Sequence, residues 1–373
     1  MSGAVGTAIF VVAIIVVILV HEAAHFGVAK LFRIKVEEFF LGFGPTLWSV
    51  KRGETEYGVK LIPAGGYVRI AGMNPFQEPT PEDFPRTFGA KPIWQRALVI
   101  FAGPATHFVM ALFVLAIFLM AIGKPTVYPQ IGAVDPRLGS VTSPAAAAGL
   151  QPGDRVMRVD AVHRPTSVEL VRYIRHHIGR TVTLVVRRDH QRIVVQVTPV
   201  LAKVGNREIG RIGIEQQPVR DRLGPLSAIG QGAVGVGQLT TEVVKSLGRV
   251  FGPEGIGRIF DLVFGGAQRK PTDVTSVVGV ARAAGQAPPG AFWEIFLTLL
   301  AGINVFVGVL NLIPLPPFDG GHLAVLAAEK VTGKKVDMRR LVPLTAAVAA
   351  FLVLFMVSVL YLDIFKPLPN FFR

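Results

Sequence analysis

The chain has 373 residues, a formal net charge of +14 and no cysteine; 51% of its residues are hydrophobic, 17% are charged, and the mean hydropathy is +0.49. That balance excludes a large water-soluble enzyme and describes a membrane protein with a soluble part. The missing cysteines exclude disulfides and thiolate metal sites, and no nucleic-acid motif accompanies the spread-out basic residues, which read as positive-inside loops plus a basic exported domain facing anionic lipid.

Residues 4–20 carry no charge, Pro, Asn or Gln. The run is slightly short of a comfortable span. Continued as a helix through His25 to Phe32, it carries His21-Glu22-Ala23-Ala24-His25 on its last turns. Residues four apart share a helix face, so His21 and His25 point together with Glu22 beside them. Two imidazoles and a carboxylate in the pattern H-E-x-x-H suit two zinc ligands and a general base for water. A helix end snorkelling into headgroups is the plain alternative. Against it, an ionised residue at the centre of a span costs about 2.5–3.5 kcal/mol, so three ionisable groups beside a membrane run point to function. The run has neither the basic n-region nor the small-residue cleavage site of a signal peptide.

Four apolar runs, about 4–25, 98–122, 291–315 and 341–364, predict four spans. The basic loops 26–97 and 316–340 then share the cytosolic side, with both termini and the stretch 124–290 outside. The organisation expected is a first transmembrane helix over 1–30, a cytosolic or membrane-reentrant β region with connector over 31–97, and a second helix over 98–122. A small domain follows over 126–200, then an extracytoplasmic amphipathic region over 201–290. A third helix covers 291–322, a cytosolic loop 323–340, a fourth helix 341–364 and a tail 365–373.

After Gly42-Phe43-Gly44-Pro45, short strands are predicted at Thr46–Lys51, Glu56–Ile62 and Tyr67–Ala71, with turns at 52–54 and 63–66. An exposed sheet edge here could bind an extended peptide by strand addition; an ordinary cytosolic hairpin is the plain reading. Residues 72–97, with prolines at 75, 79, 81 and 85, read as a connector. In the second span Gly103-Pro104 permits close helix packing, and His107 is intramembrane. His107 could be a third metal ligand, a proton relay or a packing residue with a hydrogen-bond partner, and packing ranks first.

From about 128 the pattern is that of a soluble domain. Gln130–Val134 and Arg155–Asp160 are strands, Ser143–Leu150 a short helix ended by Gly, Ser167–His176 an amphipathic helix, and Thr181–Arg187 with Arg192–Thr198 a hairpin. This order, with S-P-A-A-A-A-G-L-Q-P-G-D-R-V, resembles a permuted bacterial PDZ domain, whose groove takes an extended peptide or a chain end. Gln130–Val134 and the helix from Ser167 are the expected walls of that groove. Further on, Leu239, Val243, Leu247 and Val250 keep helical spacing and suggest a helix on the outer membrane face, while Gly252–Gly266 and Gly285–Gly290 read as loops.

The third run ends Asn311-Leu-Ile-Pro314-Leu-Pro316-Pro317-Phe318-Asp319-Gly320-Gly321-His322. Prolines break the helix, and an Asp at membrane depth needs a partner or a metal. Asp319 is the preferred third zinc ligand because its charge offsets the metal's; His322 is the rival.

Together these residues are similar to the site-2 protease family, intramembrane zinc metalloproteases of the RseP type. The likeness rests on His21-Glu22-x-x-His25 and Asn311-x-x-Pro314-x-Pro316-x-x-Asp319-Gly320. Gly42-x-Gly44-Pro45, Pro63-x-Gly65-Gly66-Tyr67, Gly103-Pro104, the PDZ loop and Ser276-Val-Val-Gly279-Val280 support it. The resemblance implies an α-helical polytopic membrane protein of about four transmembrane helices, with a membrane-associated β-hairpin region and one inserted α+β PDZ domain. It implies Zn2+ on His21, His25 and Asp319, Glu22 as general base, and Asn311 holding substrate or transition state. It also implies substrate contacts at Gly42, Gly44, Gly65, Gly66, Tyr67, Pro314 and Pro316, with His107 and His322 behind the ligands. His107 departs from the family, which has Asn there. The implied partners are single-span membrane substrates such as anti-sigma factors or signal-peptide remnants, a peptide in the PDZ groove, and the lipid bilayer, with no nucleic acid and a monomeric chain. The implied place is the bacterial inner membrane, with the active site near the cytosol and the PDZ domain outside. A non-catalytic PDZ-bearing scaffold on a protease-like body is the alternative, which loss of a ligand or of the Glu would signal; neither is lost. A solute carrier would need a repeat of spans, and the sequence has none.

Overall fold

The computed structural model describes residues 3–74, 76, 80–125, 128–204, 207–217, 220–270, 273–276, 278–280, 282 and 290–368. The expected prolines at 75 and 79, Val277 of the Ser276–Val280 motif, most of the loop 285–290 and the end of the C-terminal tail lie outside them. The chain forms two compact units, Met1–Phe118 with Pro225–Arg373, and Leu119–Gly224.

In the first unit, Val5–Leu31, Ile93–Ala121, Phe292–Asn311 and Met338–Phe365 are long and apolar enough to cross a membrane. Helix α1 (Gly3–Leu31) runs unbroken through His21 and His25, as its pattern predicts. It stops where Arg33 turns left-handed (φ 57°). The amide of Ile34 there donates to the Ala29 carbonyl at 2.9 Å. Helix α2 (Ile93–Ala121) contains Pro104 and turns Gly103, Pro104 and His107 inward.

Between them lie two long strands rather than the three short ones predicted: β1 (Val36–Arg52) and β2 (Thr55–Ile70), joined at Gly53-Glu54. Each serves two partners. Phe39–Leu41 pairs with Gly66–Val68 on one side and Tyr57–Val59 on the other, and Trp48–Arg52 pairs with Thr55–Val59. The stretch from Val36, charged and apolar by turns, is the strand that a reading by short apolar runs passes over. Gly42 (φ 89°) and Gly44 (φ 86°) let β1 bend between its two pairings, a backbone region that other residues rarely enter. Ala29, Ile34, Val36, Ile70, Phe88, Val99 and Ile100 form one buried cluster at this end of the unit, with Leu323 packed against it.

Two expectations about the second half are corrected. Gly252–Gly266 is not a loop: after α5 (Pro225–Phe251), α6 (Pro253–Val263) starts on the extended cap Gly252 with Pro253 in its first turn. Glycines at both ends mask an amphipathic helix. Helix α5 begins well before the predicted stretch, and Gly232 and Gly235 bring it close to Leu112 and Leu115 of α2. The third span does not reach 322 either. Helix α7 (Phe292–Asn311) ends at Asn311, a proline turn follows, and Asp319 opens a separate helix, α8 (Asp319–Thr332), inside the stretch expected to be loop from 323. Three prolines between 314 and 317 forbid one continuous helix, and an acid in the first turn favours a new one. Helix α9 (Val342–Phe365) is the last span.

The second unit is an antiparallel sheet with a helix. Strands β3 (Gln130–Val134), β4 (Arg155–Val159), β5 (Val182–Arg188), β6 (Gln191–Val197) and β9 (Ile214–Gln217) lie in the order β6-β5-β4-β3-β9. A hairpin of β7 (Val200–Val204) and β8 (Arg207–Arg211) stands beside them. The short helix α3 (Pro144–Ala147) is capped by Ser143, and α4 (Ser167–His176) by a Thr166–Glu169 capping box. The core is aliphatic: Ile131, Val156, Leu170, Val182, Leu184 and Val186 are each almost wholly buried. The elements between 130 and 198 match the predicted ones closely, but the unit runs to Gly224 rather than ending at 200, and the groove is formed differently. Strand β3 is internal, so it does not line a groove with α4; the groove beside α4, 770 Å³ in volume, is lined instead by residues 209–214 and Gln216. The hairpin of β7 and β8 and the edge strand β9 belong to this unit and not to the amphipathic region expected from 201, because the polar, charged residues of 203–211 hide their strand period.

Candidate metal centre

Helix α1 presents His21 and His25 one turn apart, and the break after α7 brings Asp319 to them. Nε2 of His21 lies 3.1 Å from Nε2 of His25. Oδ2 of Asp319 is 3.4 Å from each of them. Among the described residues this trio is the one cluster of His and acidic donors within metal-holding reach. A tetrahedral zinc with ligands at about 2.0–2.1 Å holds its donors roughly 3.3 Å apart, so the triangle has the right size.

The donors' chemistry fits as well. Nδ1 of His25 donates to the Val99 carbonyl at 2.8 Å, so the lone pair sits on Nε2 and faces the other two donors. Nδ1 of His21 is buried without a hydrogen-bond partner among the described residues. Two imidazole nitrogens and a carboxylate converge with little but one another as partners, a donor set that suits a divalent cation. His322 lies one turn along α8, half-buried and outside the trio.

Gly103 is the residue that makes the triangle possible. A methyl group there would sit 2.2 Å from Nε2 of His25 and 2.7 Å from Cε1 of His21. Only hydrogen fits where α2 passes α1. Gly320 and Gly321 do the same for Asp319: a Cβ on either would lie within 2.4 Å of backbone in the proline turn, so α8 could not fold back so tightly.

Glu22 is half-buried on α1, and its Cγ lies 3.1 Å from where a Cβ on Gly66 would be. Strand β2 therefore passes directly beside the carboxylate-bearing side chain. On that strand Tyr67 stacks on Phe40 and Phe43 and donates from its hydroxyl to Glu38 at 2.5 Å. Gly65 takes φ 146° next to Gly66. Gly42 and Gly44 sit in the bend of β1, farther along the same sheet. Asn311 is the last residue of α7, and Pro314 and Pro316 lie in the turn that leads to Asp319.

His107 is buried on α2 with its ring 4.9 Å from that of His21. Its Nδ1 donates to Oδ1 of Asn304 at 3.3 Å, and Nδ2 of Asn304 donates to the Leu300 carbonyl. It has a hydrogen-bond partner and stands outside the donor trio. Three contributors escape the sequence reading. The Val99 carbonyl is backbone and leaves no signal. The Gly-Pro pair at 103–104 signals a close approach but not to what. Asn304, alone and polar in an apolar run, is a signal that was available.

A helical membrane body that gathers an H-E-x-x-H helix and an aspartate at one point defines a class, the membrane-embedded metalloproteases. The chain's family agrees: residues 9–356 match the model of peptidase family M50, and the chain belongs to that family. It is 33% identical to the zinc metalloprotease Rip1 of Mycolicibacterium smegmatis, over 98% of this chain and 99% of that protein. The zinc metalloprotease Rip1 of Mycobacterium tuberculosis is also 33% identical, over 98% of each chain. The metalloprotease MmpA of Caulobacter vibrioides is 31% identical, over 85% of this chain and 84% of that one.

Proposed function

We propose that this protease hydrolyses a peptide bond within the transmembrane segment of single-span membrane proteins, with zinc held by His21, His25 and Asp319. One observation carries the reading: three donor atoms meet at ligand spacing inside a membrane body, with Glu22 next to His21 on the same helix. Zinc bound there supplies Lewis acidity toward water and the scissile carbonyl.

The chain's own residues do the rest. Glu22 takes the proton from the attacking water onto its carboxylate and passes it to the leaving amide nitrogen. Nδ2 of Asn311 donates to the carbonyl oxygen as that oxygen gains charge. A substrate helix hides its carbonyls in its own hydrogen-bond ladder, so it must unwind before cleavage. Gly66–Ile70, beside Glu22, pairs on one side with β1, and among the described residues no strand pairs with the other. That edge suits the unwound stretch as an added strand, with Gly42, Gly44, Gly65, Gly66 and Tyr67 shaping it and Pro314 and Pro316 bounding the approach near Asp319.

The inserted unit reads as a PDZ domain whose groove beside α4 takes a peptide or chain end. It would serve as a size gate that admits substrates already trimmed outside, such as anti-sigma factors or signal-peptide remnants. We read the chain as a monomer in a bacterial inner membrane, with the metal centre toward the cytosol and the inserted unit outside, a reading supported by the basic loops 26–97 and 316–340. The test is Glu22→Gln in detergent-purified protein with a single-span reporter. Zinc content should be kept and cleavage lost; cleavage that persists would remove Glu22 as the base.

A further inference from the structure

Asp319 reaches the metal centre from a helix that the proline turn uncouples from the spans. Something must set the register of α8. Along one face of it stand Asp319, Leu323, Leu326 and Glu329, spaced as helix neighbours. Leu323 packs against the buried cluster that contains Val99, and Leu326 is buried. Beside them the fit is loose: a groove of 850 Å³ opens between α2 and α8, lined by Trp94, Leu98, Phe101, Leu323 and Lys330 among others. Apolar contact of that kind does not fix a helix against sliding or rotation.

At the far end of that face lies a buried ion pair. Nη2 of Arg96, in the first turn of α2, is 2.8 Å from Oε2 of Glu329, with the two side chains 9% and 8% exposed. Neither Nε of Arg96 nor Oε2 of Glu329 makes a hydrogen bond among the described residues, so the two are joined as buried opposite charges with no other side chain to satisfy them. The guanidinium also lies over the Phe88 ring, 5.9 Å from its centre. Oε1 of Glu329 accepts from the amide of Val336 at 3.1 Å, which ties down the chain after α8. Arg96 stands one turn before Val99, whose carbonyl orients His25. Glu329 stands ten residues after Asp319, about 15 Å along the helix. The pair thus joins the helix that orients one ligand to the helix that carries another.

We infer that Arg96 and Glu329 are positioning residues for the metal centre: their ion pair fixes the register of α8 against α2 and so the distance of Asp319 from His21 and His25. This rests on the reading of Asp319 as a ligand. Replacing both partners of a buried ion pair by well-packed apolar residues is often neutral for stability, so removal of this pair as a whole should act on the site more than on the fold.

The test measures zinc affinity, by competition with a chromophoric chelator, and melting temperature on full-length protein in detergent. The variants are Asp319→Ala, Glu329→Gln and the apolar double variant Arg96→Met with Glu329→Leu. Loss of a group that orients a ligand typically weakens metal binding roughly 10–100-fold, and that is the loss expected in both the single and the double variant, with the double variant melting near the wild type. Cobalt-loaded protein should show an altered ligand-field spectrum in the same variants. Wild-type affinity in the double variant overturns the inference even if Asp319→Ala has lost its zinc. Should the double variant not fold, Glu329→Gln alone decides on the same criterion. Wild-type affinity in Asp319→Ala would instead remove the ligand reading, and the positioning role with it.

Discussion

The two units of this chain are held by different physics. In the inserted unit the interior is a layer of Val, Leu and Ile between a sheet and a helix, and among the described residues its buried polar side chains are Ser143, a helix cap, and Asp154, clasped by Arg188 at 2.7 Å. In the membrane body the buried polar side chains include His25, Arg96, His107, Asn304, Glu329 and Asp363. Lipid is as apolar as leucine, so apolar burial there distinguishes poorly between one packing and another. Register falls to a few polar pins and to glycines that let backbones touch. Besides the metal centre and the Arg96–Glu329 pair, Asp363 at the end of α9 receives Arg269 at 2.6 Å, the Thr275 hydroxyl and the Ser276 amide. The lesson is that a substitution in the body should act through geometry, and one in the inserted unit through burial.

The largest effect should follow the smallest change. Gly103→Ala adds one methyl group at the closest approach of α2 to the two histidines. It should weaken zinc binding by more than about tenfold, as loss of a supporting group does, and abolish cleavage. Zinc content equal to the wild type would show that the helices can separate without cost and would break the contrast. Leu184→Ala, in the core of the inserted unit, is the counterpart. It should cost that unit about 2–5 kcal/mol, read by denaturant unfolding, and leave bound zinc unchanged. Loss of zinc in this variant would mean that the two units do not respond separately.

Much of this was legible in the sequence, and the pattern of success follows the same contrast. Between 130 and 198 the inserted unit's strands and its longer helix were legible nearly to the residue, because alternating apolar positions face water on one side and leave a clear period, whereas its last three strands, β7 to β9, fell in the stretch after 200 expected to lie outside the domain. His21, Glu22, His25 and Asp319 were legible because ionisable groups are costly at membrane depth. The break between α7 and α8 was visible as prolines, but the helix after it was hidden by the expectation of a loop. The start of β1 at Val36 and the helix α6 were missed, since Glu37-Glu38 and flanking glycines look like loop when read one run at a time. The contact of Gly103 with the histidines, the Val99 carbonyl and the Arg96–Glu329 pair depend on partners far apart in the chain, and no local spacing encodes them.

The smallest effect concerns the tip of the hairpin. Lys30 donates to Glu54 at 2.5 Å, and Arg86 lies 2.6 Å from the same carboxylate. Burial raises the pKa of Glu54, but hydrogen bonds from Lys30 and Arg86 outweigh it and hold the group below the ordinary carboxylate value. Stability from this clasp is therefore complete above the unfolded pKa and is lost as pH falls through the lower, folded one. The difference in melting temperature between wild type and Glu54→Gln should be modest at pH 7 and shrink toward zero in acid. A difference that stays constant with pH would show that charge is not what the clasp contributes.

Everything proposed for this site depends on His21, His25 and Asp319 together holding one zinc ion. The most direct test is elemental analysis of detergent-purified wild type, Asp319→Ala and His322→Ala. The expected result is one zinc per wild-type chain, loss in Asp319→Ala and retention in His322→Ala. Zinc that survives Asp319→Ala, or is lost only with His322→Ala, would contradict it.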